Sequence, residues 1–284
     1  MKKLLLTGAS GFTGNHLYQE AKLAGFVVIP LSSNISDIPA MKAEILNVKP
    51  NYVIHLAAIS AVSHSQQEDL YKVNLMGTLN LLESLALLPS IPEKIILVSS
   101  ANVYGNISDE SISEELYPHP VNHYAMSKLA MEMMATNYFP KLPIVITRPF
   151  NYTGVGHDLR FVIPKIINHF KQKLELIELG NIDVLREYND VRTVCQIYLK
   201  LLTYGEIGQI YNICSGRAFT LREIIHKLRV MTKQLLEVNI NSNLIRSNEV
   251  FVLSGNPSKL QKTIGEIQFP PIDETLLWML NDKN

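Results

Sequence analysis

The strongest constraint on this chain lies at its very beginning. An apolar run, Leu4-Leu5-Leu6, stops at Thr7, and Gly8-Ala9-Ser10-Gly11-Phe12-Thr13-Gly14 leads into a helix-forming stretch. The glycines in this loop have separate work. Gly8 lets the chain turn, Gly11 lets a phosphate approach bare backbone, and Gly14 lets the helix pack close to the sheet. A helix N-terminus carries unpaired N–H groups and the positive end of a dipole. Gly8, Ser10, Gly11, Phe12, Thr13 and Gly14 are therefore candidates to hold a dinucleotide pyrophosphate. A lone glycine triplet also fits an ordinary strand–helix turn. Its place after an N-terminal strand and before a good helix favours the nucleotide reading.

The rest of the first half continues the alternation. Short apolar runs at 3–7, 26–31, 52–56, 95–99 and 144–148 read as buried parallel strands, with helical patterns at 14–24, 39–49, 69–88 and 124–138 between them. Such alternation predicts an α/β fold with a Rossmann-type, doubly wound parallel sheet. After Pro149 the pattern changes. Helices are expected at 161–173, 190–204, 221–232 and 272–280, the last carrying Trp278, and strands at 174–179 and 209–214. These divide the chain into a dinucleotide domain, 1–150 plus about 181–210, and a smaller α/β substrate lobe, about 151–180 plus 211–284.

Composition removes several function classes. Lys plus Arg and Asp plus Glu both number 26, so the formal net charge is zero and no basic excess suggests a nucleic-acid surface. Cys195 and Cys214 lack metal-ligand spacing and read as small buried hydrophobes, which suits a reducing compartment. No metal is expected. The start Met1-Lys2-Lys3-Leu4 resembles the opening of a signal peptide, but its apolar run breaks too soon at Thr7-Gly8. No stretch has the length of a membrane span. The expected location is the cytoplasm.

Chemistry enters downstream. Tyr124 and Lys128 share a face if 124–138 is helical. A cation there lowers the tyrosine pKa, so the phenol can give or take a proton at an alcohol or ketone. Alone, the pair is an ordinary surface motif. A hydroxyl after the preceding strand, in Ser99-Ser100-Ala101-Asn102-Val103-Tyr104-Gly105, completes a set. With the glycine loop, this set describes hydride transfer between a nicotinamide and a carbonyl.

These motifs together resemble the extended short-chain dehydrogenases/reductases of the epimerase/dehydratase type. Thr-Gly-x-x-Gly-Phe-x-Gly is that family's form of the loop. Leu56-Ala57-Ala58, after His55, resembles its segment beside the cofactor riboses, and Asn74 with Gly77-Thr78 resembles its Asn-x-x-Gly-Thr helix. The resemblance implies that Ser100 orients the substrate oxygen and that Tyr124 exchanges the proton. It also implies that Lys128 bonds the nicotinamide ribose. At the end of the second strand, Ser32-Ser33-Asn34 offers neither the acid of a typical NAD site nor an arginine for NADP. Ser32, Asn34 and Ile35 match the positions near the adenosine. The lack of an acid there favours NADP, with NAD as the alternative.

The related 4,6-dehydratases carry an acid two positions before the Tyr-Gly tyrosine. Asn102 stands there, and an amide cannot serve as that base. Thr147-Arg148-Pro149-Phe150-Asn151, Arg186-Glu187-Tyr188-Asn189-Asp190-Val191-Arg192 and Arg246-Ser247-Asn248-Glu249-Val250 most resemble the GDP-mannose 4,6-dehydratases and GDP-4-keto-6-deoxy-D-mannose reductases. Asn102, Asn151, Arg186 and Arg246 are the implied substrate residues, the arginines suiting a diphosphate. The expected activity is therefore NAD(P)H-dependent reduction of a 4-keto-6-deoxy nucleotide sugar, with GDP as the expected nucleotide. The alternatives are a 4-epimerase that retains NAD, and a non-catalytic dinucleotide-binding sensor. The family also implies a homodimer built on the helices at 69–88 and 124–138, with Met126, Met131, Met133 and Met134 on the second.

Overall fold

The structure is a computed structural model that describes residues 1–60, 66–107, 111–245 and 250–282. Its first half runs β1 (Lys3–Thr7), α1 (Phe12–Leu23), β2 (Val27–Pro30), α2 (Ile38–Val48) and β3 (Tyr52–His55). It continues through α3 (Gln67–Tyr71), α4 (Thr78–Ala86), β4 (Lys94–Val98), α5 (His123–Thr136) and β5 (Ile144–Pro149). Then come β6 (Tyr152–Thr153), α6 (Val162–Lys171), β7 (Leu176–Leu179), β8 (Leu185–Glu187), β9 (Asn189–Asp190) and α7 (Val191–Tyr204). The last elements are β10 (Ile210–Ile213), β11 (Ala218–Phe219), α8 (Leu221–Thr232), β12 (Glu237–Ile240), β13 (Val252–Leu253), α9 (Ser258–Ile264) and α10 (Ile272–Asn281).

Leu4, Leu5 and Leu6 are all fully buried, as a strand covered on both faces requires. The large sheet has six parallel strands in the order β10-β5-β4-β3-β1-β2. Side chains alternate between its faces. Leu4 and Leu6 pack with Leu17 of α1 and Val194, Tyr198 and Leu201 of α7. Leu5 packs on the other face with Met41, Ile45, Leu81, Leu85 and Met131. The chain leaves β1 toward β2, then crosses back to β3. That reversal opens a crevice at the carboxyl ends of the strands, where ligands of such sheets bind.

Three differences from the sequence reading bear on the site. Residues 210–213, expected partly in the lobe, form the sixth strand of the large sheet, with Tyr211 and Ile213 buried in its core. Residues 185–187, expected in the dinucleotide domain, instead pair with β11 and β13 in a small sheet of their own. The single helix expected over 69–88 is two α-helices joined by a π-helical segment, Lys72–Gly77. Asn74, whose buried side chain is described below, lies within it. The lobe core joins α6, α8 and α10 through Ile166, Phe170, Ile224, Leu228 and Leu276.

Candidate active site

The glycine loop is tight for reasons visible in the backbone. Gly8 adopts φ +69°, and a Cβ there would lie 2.7 Å from Ala57 N. A Cβ on Gly14 would lie 2.1 Å from the carbonyl oxygen of Gly8. Gly11 caps α1 without any side-chain hydrogen bond, so the first-turn N–H groups are left for a ligand. Gly8, Ser10, Gly11, Phe12, Thr13 and Gly14 all line one cleft of about 1110 Å³, together with Leu56 and Ala58. This cradle of bare backbone at a helix N-terminus fits a dinucleotide pyrophosphate. Ala57 lies behind the loop instead, its N–H donating to Thr7 Oγ1 at 3.1 Å.

The adenosine end differs from the sequence reading. Ser32 and Ser33 donate their N–H groups to Oε1 and Oε2 of Glu44, each at 2.8 Å. The acid missing after β2 is thus supplied by α2. Burial raises the Glu44 pKa, but the bonds from Ser32 and Ser33 outweigh it and hold the carboxyl below its ordinary value. Asn34 is exposed and accepts from Ser36 N at 2.9 Å. Ile35 is buried against Gly77, where a Cβ would meet its side chain at 3.0 Å.

The proposed chemistry gathers on β4 and α5. Ser100, Asn102, Tyr124 and Lys128 all line the cleft. Ser100 Oγ accepts from Asn102 N at 3.2 Å and from Asn102 Nδ2 at 3.1 Å. With both lone pairs taken, its hydrogen is free to donate toward Tyr124, whose pKa it lowers. Burial raises the Tyr124 pKa, and only the Ser100 bond opposes it. The expected depression by Lys128 is therefore not what this geometry gives, since Lys128 Nζ donates to Val98 O at 2.8 Å. Burial draws the lysine pKa down to about 8, against the pull of Glu132.

Glu132 belongs to a pair that the motif reading passed over. Tyr124, Lys128 and Glu132 recur every four residues, and all are buried along one face of α5. Glu132 accepts from Arg148 of β5 at 3.0 Å and 3.2 Å from Nε and 2.7 Å from Nη2. The guanidinium also lies 4.8 Å from the centroid of the Tyr104 ring. The sequence signal was available in the helical spacing of Glu132 behind the Tyr-Lys pair.

A directional chain of hydrogen bonds supports this floor. Thr78 Oγ1 donates to the Asn74 carbonyl at 2.7 Å, so it accepts from His55 Nε2 at 2.9 Å. His55 Nδ1 must then accept from Thr7 Oγ1, at 2.7 Å. Burial, then the charge of Lys128, push the His55 pKa down to about 3, so it stays neutral. The side chain of Asn74 bonds both N and O of Ile59 and donates to Ser127 Oγ at 3.0 Å. Asn74 is thus 1 % exposed and faces α5 rather than the cleft.

The substrate side is looser. Asn151 lines the cleft, and its carbonyl accepts from Asn189 N at 2.9 Å. Arg186 also lines it, but donates to the carbonyls of Leu185, Val250 and Phe251. Arg246 lies outside the described residues. Arg160, ion-paired to Asp158, and Lys165, donating to Glu178 O at 2.7 Å, line the same cleft and carry no motif that could have marked them. Cys195 and Cys214 are buried and free.

Comparison with known proteins agrees with this geometry. The profile of the NAD dependent epimerase/dehydratase family matches residues 4–214. The chain belongs to that family and is an oxidoreductase, as its relatives named next are. It is 32% identical to the GDP-6-deoxy-D-talose 4-dehydrogenase of Aggregatibacter actinomycetemcomitans over 269 residues, 93% of this chain and 91% of the relative. It is 34% identical over 295 residues to the GDP-6-deoxy-D-mannose reductase of Pseudomonas aeruginosa, covering 99% of this chain and 97% of the relative. The solved structure of RMD from Pseudomonas aeruginosa complexed with NADPH superposes with a TM-score of 0.88 at 32% identity, covering 99% and 98% of the two chains. Among the described residues, no helix is long and apolar enough to cross a membrane.

Proposed function

We propose that this protein reduces the 4-keto group of a GDP-linked 4-keto-6-deoxy sugar, GDP-4-keto-6-deoxy-D-mannose being the first candidate. Bound NADPH or NADH would supply the hydride. The observation that carries the reading is the pair of hydrogen bonds from Asn102 to Ser100 Oγ. A 4,6-dehydratase needs a base at this position, and here an amide donates instead. The names of the two curated relatives support the same substrate class.

In this reading each residue has one task. Ser100, its lone pairs filled by Asn102, directs its hydrogen to the substrate oxygen. Tyr124, protonated because burial raises its pKa, gives its proton to the forming alkoxide. Lys128 stays largely charged at neutral pH and bonds the nicotinamide ribose. Glu132 and Arg148 fix the face of α5 from behind. Asn151 and Arg186 meet the sugar and the diphosphate, joined by Arg246.

The reading carries a cytoplasmic homodimer with it. α3, the π segment and α4 pack beside α5, and Met76, Met126 and Met133 are exposed on these helices, at 47%, 47% and 65%. Met131 is buried in the core and takes no part. The product would feed deoxyhexose into a surface polysaccharide.

The test is absorbance at 340 nm with purified protein, GDP-4-keto-6-deoxy-D-mannose, and NADPH and NADH in parallel. Oxidation of cofactor with formation of one GDP-deoxyhexose is the expected result. Cofactor binding without oxidation would overturn the assignment. A 4-epimerase would consume no cofactor and would retain NAD through purification.

A further inference from the structure

The two nicotinamide cofactors differ by one phosphate, on the ribose 2′-oxygen. In a sheet of this order that ribose lies at the carboxyl end of β2, beside the glycine loop. Leu31 N still bonds Leu6 O across to β1, so Ser32 is the first residue beyond the sheet. Its N–H and that of Ser33 are the natural donors for a 2′-phosphate at this point. Both are already taken by Glu44, one carboxylate oxygen each.

We propose that Glu44 makes this protein selective for NADH over NADPH. The proposal rests on reading the glycine loop as a dinucleotide site, and revises the preference for NADP that the sequence around Ser32 suggested. Glu44 comes from the second turn of α2, not from β2, so it escapes a search for an acid directly after the strand. Each of its oxygens accepts one backbone N–H, which fixes the carboxylate beside Ser32 and Ser33. A 2′-phosphate would meet a fixed negative charge, and the N–H groups of Ser32 and Ser33 would be closed to it.

The surroundings offer that phosphate little compensation. No Lys or Arg stands between Pro30 and Asp37. Asp37 caps α2, accepting from Ala40 N at 3.2 Å, and adds a second negative charge. Lys42 lies two residues from Glu44 on α2, and side chains at that spacing do not share a helix face.

The test is calorimetric titration of the full-length protein with NADH and with NADPH, without sugar substrate. NADH should bind at least roughly tenfold more tightly, the scale of one unit-charge repulsion at a partly screened site. Glu44→Gln should tighten NADPH roughly tenfold and leave NADH within about threefold. Equal weakening of both cofactors in Glu44→Gln would make Glu44 a mere tie between α2 and β2 and overturn the proposal. So would NADPH binding as tightly as NADH in the unaltered protein, a measurement that decides even if the variant does not fold. Binding of neither cofactor would break the dinucleotide reading itself, a different result from a lost preference.

Discussion

Ion pairs on the sheet and on the lobe sit in contrasting surroundings. On the sheet side, Arg148 and Glu132 form an ion pair whose side chains are 4% and 3% exposed. On the lobe side, Arg160 pairs with Asp158 at 75% and 46% exposure, and Arg222 with Asp183 at 65% and 61%. A buried pair tolerates only one geometry, because leaving either partner alone strands a desolvated charge. An exposed pair can be broken and resolvated at little loss. The contrast gives the floor between α5 and β5 a fixed geometry and leaves these two lobe pairs free to rearrange.

The sharpest way to break this contrast is at the phenol. Tyr124→Phe should lower turnover by about 10²–10⁴-fold while leaving the cofactor Kd unchanged, as read by steady-state kinetics and titration. Retention of most activity would remove Tyr124 from the chemistry, and a matching loss of cofactor binding would make its role structural. Next in size is the buried pair. Glu132→Ala should lower unfolding free energy by about 3–5 kcal/mol in urea. Asp183→Asn, on the lobe side, should leave the urea midpoint unmoved. Similar effects from the two would erase the distinction.

A third test uses pH. His55 and His157 are held near pKa values of about 3 and about 4, chiefly by burial, below the ordinary 6.5. The unfolded chain therefore takes up protons below about pH 6.5 that the folded chain refuses, and stability must fall as pH drops through that window. Each histidine contributes a slope of up to about 1.4 kcal/mol per pH unit. His55→Gln should flatten the slope between pH 6 and pH 4, measured by urea unfolding; an unchanged slope would place the proton uptake elsewhere. The smallest expected effect is at Asn102. Asn102→Ala should reduce kcat about tenfold, the worth of roughly one oriented hydrogen bond, with KM little altered. A change in KM alone would make it a substrate contact.

The same division governs what could be read from the sequence. The glycine loop, Ser100, Tyr124 and Lys128 were legible because their chemistry demands fixed spacing within one turn, strand end or helix. The parallel sheet was legible from Leu4-Leu5-Leu6 and its successors, whose burial on both faces leaves no polar alternation. Glu44 was not, because its role depends on how α2 folds back over Ser32 and Ser33. Arg186 was expected at the site and lines the cleft, but its hold on the carbonyls of Val250 and Phe251 depends on the pairing of β8 with β13, two strands too short to announce themselves. The lobe is assembled from such distant pairings, so its recognition residues lie outside the reach of local pattern.

One feature of the helix before β4 reaches further. The π segment Lys72–Gly77 amounts to a single surplus residue in an otherwise α-helical run. Removing one residue there would keep the run helical but change which side chains its upstream half presents to its neighbours. The phase of everything upstream would rotate by about 100°, a single residue's share of a 3.6-residue turn. Asn74 would swing away from Ile59 and Ser127, and the loop beyond β3 would lose its anchor to α5. The surplus residue thus sets the register in which α3 and Asn74 meet the rest of the molecule.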